Sequence, residues 1–203
     1  MSNICNLDRK AVDYSISVVA RVTAGDLGRP TPCDEWDLAR LLTHMTVQHR
    51  GFAAAARGAG GDLELWRMGD IAPDPVAAYR EAAADVVAAF AETGVQERDF
   101  ELPEFAPGFI APGSQAIGFH FIDYVVHGWD VARTLGLPYE LDEELAESAW
   151  RIAEAVPDGE IRLQPGSPFA LAVPAAGAPD PMTRILAHLG RSPQWPEAAK
   201  PGL

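Results

Sequence analysis

Apolar side chains recur at helical spacing along most of this chain, and the recurrence predicts its elements. In residues 7–21 and just beyond, Leu7, Ala11, Tyr14, Val18 and Val22 form one stripe, with Asp8, Asp13 and Arg21 mostly off it. Two glycines and two prolines in residues 24–32 then stop that helix. A second helix is predicted from an Asp37 N-cap to about Arg57, with Leu38, Leu41, Leu42, Met45 and Phe52 on its apolar face. A third opens at Asp74-Pro75, an N-cap followed by proline at the first helical position, and stops at Gly94. Residues 114–135 are apolar nearly all round and end at Gly136, which places that helix in the middle of a bundle.

Between the third and fourth helices, residues 95–112 read as an irregular connection with a short extended piece at 99–102. A connection of that length in a compact domain is often functional. A fifth helix is expected over 142–156, one or two short strands within 160–173, and a last short helix from Asp180 to Leu189. The fold class is therefore mainly α: an antiparallel four-helix bundle over residues 1–138, with a small α/β C-terminal appendage over 139–203 packed on it.

Composition narrows the function. The chain has 203 residues, and 16 Lys+Arg against 29 Asp+Glu give a net charge of −13. Such a surface repels phosphate backbones and anionic lipid, so neither nucleic acid nor a membrane is an expected partner. No apolar run approaches the length of a membrane span. Charged residues precede any apolar run at the N-terminus, and the two cysteines form no paired motif, which predicts a cytoplasmic protein with reduced thiols.

Candidate chemistry lies in polar residues placed where a bundle core is apolar. In the fourth helix, His120, Asp123 and His127 project from one face, within roughly 60° of one another at 100° per residue. Asp123 and His127, one turn apart, can share a metal ion. A third donor must come from a neighbouring helix, and His44, on the flank of the second helix's apolar stripe, is the best placed. Imidazole and carboxylate suit Zn²⁺, and three protein ligands leave a position open; Fe(II) and Ni(II) accept the same set. The same residues also fit core histidines and buried ion pairs. Gln48 and Tyr124 are candidates to orient ligands. His49 is expected to be exposed, His188 to pack or be solvated, Cys33 to be a small buried residue, and Trp36 and Trp129 to anchor helix ends. Arg184 and Arg191 are expected on the surface, with orientation of an anionic ligand as the alternative. No residue stands out as a catalytic group.

Two motifs carry a resemblance. Thr31-Pro32-Cys33-Asp34-Glu35-Trp36-Asp37-Leu38, followed by Leu41-Leu42-Thr43-His44, resembles one signature of the mycothiol-dependent maleylpyruvate isomerase-like proteins. His120-x-x-Asp123-x-x-x-His127-Gly128-Trp129-Asp130-Val131-Ala132-Arg133 resembles their second, and the stretch from Arg184 to Pro193 with Trp195 is similar to an actinobacterial subgroup of metal-binding proteins. The resemblance implies a DinB-like four-helix bundle holding one divalent metal, usually Zn²⁺, on His44, Asp123 and His127. The family's isomerase has Glu where this chain has Asp123, one methylene shorter, so His120 is a further candidate to join or substitute. It also implies a small-molecule substrate and mycothiol as a possible cofactor, in isomerase or transferase chemistry. The alternatives are a thiol-independent metal-dependent hydrolase or cyclase and a non-catalytic ligand-binding bundle. Nothing in the sequence decides between a monomer and a homodimer.

Overall fold

Capping side chains fix where the helices begin. In the computed structural model, which describes residues 3–33, 36–164, 167, 169–175 and 180–196, α1 spans Ile4–Val19. It starts earlier than the apolar stripe because the Asn3 side chain accepts from the Cys5 N–H. Asp37 caps α2 (Leu38–Ala56) and Asp74 caps α3 (Pro75–Phe90), each through its own carboxylate, as their positions predict. Next, β1 (Asp99–Glu101) pairs antiparallel with β2 (Ile110–Pro112). This hairpin leads directly into α4 (Gly113–Leu135), which ends where Gly136 turns into the left-handed region at φ 70°. Asp142 caps α5 (Glu143–Glu154), and Asp180 caps α6 (Pro181–His188).

The four long helices pack in a closed cycle: α1 on α4, α4 on α2, α2 on α3, and α3 on α1. Helix α4 is buried nearly all round, as its composition predicts. Leu41, Met45, Phe121, Val125 and Leu145 lie in one core region. Phe52, Phe90, Phe100, Leu102 and Ile117 form a second, under the hairpin. Burying each such side chain contributes about 1.5–3 kcal/mol. Helices α2 and α4 run antiparallel, since His44 meets His127, Met45 meets Tyr124, and His49 meets His120.

The strands expected over 160–173 are absent among the described residues, where Glu160–Leu163 is instead a single 3₁₀ turn. The reason is Arg162. Its buried guanidinium donates to the carbonyls of Pro157, Val156, Ala170 and His188, and the tail folds around that charge rather than into a ladder. Parts of the expected strand region (165, 166 and 168), and Asp34 and Glu35 of the first motif, lie outside the described residues.

Candidate metal centre

The loop before α2 prepares one side of the site. The Thr31 hydroxyl donates to the Trp36 carbonyl at 2.9 Å and accepts from the Cys33 N–H at 3.1 Å, closing a compact turn. That turn sets Trp36 on the imidazole of His44, with ring centroids 4.7 Å apart. Trp36 thus covers a candidate ligand as well as standing at the start of its helix.

Across the interface, α4 presents Asp123 and His127. One donor atom each from His44, Asp123 and His127 lies within 4.8 Å of the others. His127 Nε2 is 3.3 Å from Asp123 Oδ1, and the His44 and His127 rings are 5.1 Å apart, edge to face. His127 is buried, whereas His44 and Asp123 each keep a partly exposed flank. The group therefore opens to solvent on one side.

Electrostatics favour a cation among these donors. Burial pushes His44 down to about 4, helped by the charge of His127, so it is neutral and its lone pair is available. Burial works against ionised Asp123, yet the adjacent His127 outweighs it and holds the carboxyl at about 2. Burial likewise opposes a charged His127, but Asp123 and Asp130 prevail and raise it to about 9. A proton on that ring occupies the place where three donors can hold a metal. Asp123 Oδ2 is buried and has no hydrogen-bond partner, an orphaned acceptor on one of the three residues. Two imidazoles and a carboxylate are a zinc-type donor set, and the residues fit such an ion.

Of the outer partners of the group, Gln48 and Arg191 are candidates from the sequence, whereas Asp130 and Glu104 are not. Asp130, one turn beyond His127, accepts a hydrogen bond from its Nδ1 at 2.9 Å. That directs Nε2 toward Asp123. Burial alone would raise the Asp130 carboxyl, but Arg191 and His127 hold it below the usual range. Arg191 is therefore not a surface charge: it is 8% exposed and reaches Asp130 Oδ2 at 3.2 Å, with Cys33 Sγ at 3.8 Å. The i,i+3 spacing of His127 and Asp130 was the available signal. Glu104 is an exposed residue of the β1–β2 connection whose carboxylate folds in to accept from Gln48 Nε2 at 2.7 Å. By the antiparallel register, buried Gln48 lies at the level of Asp123, one turn from His44. Burial pushes Glu104 up to about 7; the Gln48 hydrogen bond opposes the rise and the charge of Asp123 adds to it.

Other sequence candidates lie elsewhere. His120 is engaged on both ring nitrogens, with Asp8 Oδ1 at 2.6 Å and His49 Nδ1 at 3.1 Å, and does not join the group of three. His49, expected on the surface, is fully buried, because α3 and α4 flank α2 on both sides. Tyr124 is stacked on His49 and donates to the Met45 carbonyl, so its hydroxyl is committed away from the three donors. His188 packs on Trp150 and bonds the Val156 carbonyl, and Arg184 lies 4.2 Å over the Trp150 ring. Cys33 is half-buried, and Trp129 is buried near the end of α4.

Together these features define a mainly helical protein with a His–Asp–His donor group shared between two of its long helices. The chain belongs to the mycothiol maleylpyruvate isomerase N-terminal domain family, whose sequence model matches residues 9–132. Two relatives from Mycobacterium tuberculosis, the uncharacterized protein MT0763 of strain CDC 1551 / Oshkosh and the uncharacterized protein Rv0738 of strain H37Rv, are each 32% identical over 189 residues. Those alignments cover 91% of this chain and 95% of each relative. The crystal structure of the mycothiol-dependent maleylpyruvate isomerase and that of its histidine-to-alanine mutant superpose with TM-scores of 0.55 and 0.57 at 12% identity. Each covers 76% of this chain and 71% of the solved one, a likeness of fold. No helix among the described residues is long and apolar enough to cross a membrane.

Proposed function

We propose that the protein is an enzyme that holds one divalent metal ion on His44, Asp123 and His127 and acts with a small thiol of the mycothiol type on a small electrophile. The carrying observation is the convergence of these three donors within 4.8 Å of one another, with one oxygen of Asp123 buried and unpartnered. Zinc suits the donor set best, with nickel and iron as the other metals it accepts. When bound, such an ion lowers the pKa of a thiol so that thiolate is available near neutral pH.

The chain's own groups divide the remaining work. Asp130 keeps His127 in one orientation, and Trp36 covers His44. Glu104, which accepts from Gln48 and whose carboxyl burial raises to about 7, is the group we assign to take the thiol proton on its carboxylate and return it later. In an isomerase the freed sulfur adds to a conjugated cis double bond, and the resulting single bond rotates. Elimination then restores the double bond as trans and releases the sulfur, which recovers its proton from Glu104. The partly exposed flanks of His44 and Asp123 give a small molecule access and favour this reading over a closed, non-catalytic site. The net charge of −13 does not assist an anionic substrate.

The test is a calorimetric titration of mycothiol into zinc-loaded and chelator-treated protein. The proposal expects binding with proton release in the loaded form and its loss after chelation. Equal heats in both forms, or none in either, contradict the metal-linked thiol role; turnover that ignores added thiol would then select the thiol-independent hydrolase or cyclase.

A further inference from the structure

We infer that Arg191 is a positioning residue for the metal centre: through Asp130 it fixes His127, so the C-terminal tail completes a site whose donors all lie in α2 and α4. The inference rests on the metal-centre reading above and extends it beyond the residues matched by the family, which end at 132.

One carboxylate oxygen carries the link. Asp130 Oδ2 accepts from His127 Nδ1 at 2.9 Å and from the Arg191 guanidinium at 3.2 Å. Asp130 is fully buried, so its charge is tolerable only while positive partners surround it. Take away the guanidinium and a buried carboxylate is left with one imidazole. It then turns toward water, and the ring loses the acceptor that sets its direction. Ligating histidines depend on such partners for orientation, and losing one costs 10–100-fold in metal affinity.

The tail is built to deliver this guanidinium. Helix α6 ends with Gly190 at φ 79°, with the Arg191 N–H bonded to the Leu186 carbonyl at 2.8 Å and the Gly190 N–H to Ala187 at 3.2 Å. This closure reverses the chain immediately before Arg191. A side chain at Gly190 would meet the Ala170 backbone at 2.6 Å, so the turn has no room for another residue type. Arg162 binds the same segment from beneath, through the carbonyls of Ala170 and His188. The Arg191 Nε is buried without a partner, which marks a side chain placed for its Nη contacts rather than for its own solvation.

The experiment is a zinc titration against a chromophoric chelator, with Co²⁺ absorption as a second readout of ligand geometry, on full-length protein. Arg191→Met is expected to bind zinc 10–100-fold more weakly than wild type and to shift the Co²⁺ bands. Arg191→Lys keeps the charge and should recover part of the loss, while Arg184→Met, an exposed cation on Trp150, should match wild type. Should Arg191→Met not fold, Asp130→Asn probes the same link in an isosteric side chain and should show the same weakening. Zinc affinity within twofold of wild type in folded Arg191→Met or Asp130→Asn overturns the inference and leaves the metal reading intact. A wild-type protein that binds no zinc overturns the reading itself.

Discussion

The ring of His49 lies 3.1 Å from that of His120, and both are fully buried between α2 and α4. His120 also meets Asp8 of α1 at 2.6 Å, and His49 is stacked on Tyr124 at 3.9 Å, near the ring of Tyr79. This knot joins residues of all four long helices but leaves His49, among the described residues, with no compensating negative partner in direct contact.

That arrangement predicts an acid-sensitive fold. Burial first, and the neighbouring His120 second, hold His49 well below its ordinary value of 6.5. The unfolded chain takes a proton there below about pH 6.5 and the folded chain does not. Stability present above that pH is therefore lost as pH falls below it, by up to about 1.4 kcal/mol per pH unit. Urea unfolding at pH 6.5, 5.5 and 4.5 should show a shallower decline for His49→Gln, which cannot titrate. Identical slopes for variant and wild type would contradict the assignment.

Gly128, beside His127 in the second motif, is a packing requirement. A Cβ there would sit 2.5 Å from the Tyr139 hydroxyl and about 3 Å from its ring carbons. The Tyr139 ring is in turn held edge-on by Tyr14. Gly128→Ala should destabilise the protein by about 1–3 kcal/mol, the usual range for overpacking. A denaturation midpoint unchanged from wild type would show that Tyr139 yields freely.

Arg162 predicts a local effect. Its guanidinium satisfies four carbonyls while almost fully buried, a set that neither Lys nor Met can reproduce. Arg162→Met should loosen residues 157–191 before the four long helices melt, seen as faster amide exchange in α6. Exchange in α6 that stays at the wild-type rate would count against this role.

Local chemistry was legible in the sequence and long-range chemistry was not. Asp37, Asp74, Asp142 and Asp180 cap the helices they precede, because a cap acts within three residues of itself. His44, Asp123 and His127 stood out as polar groups on apolar faces, a contrast visible in periodicity alone. Glu104 did not, and Arg191 reads first as a surface charge, since a lone charge on a short tail or in an irregular connection looks solvated until tertiary contacts bury its end. The described part of 160–173 holds no strand, which was not legible for a related reason: weak alternation carries no sign that Arg162 gathers those carbonyls.

The central claim is that α2 and α4 share a metal ion, and elemental analysis tests it most directly. Protein incubated with zinc and then desalted should retain close to one equivalent in the wild type and lose it in both His44→Ala and Asp123→Ala. A wild-type protein that emerges without zinc, or two variants that keep as much as the wild type, would contradict the account.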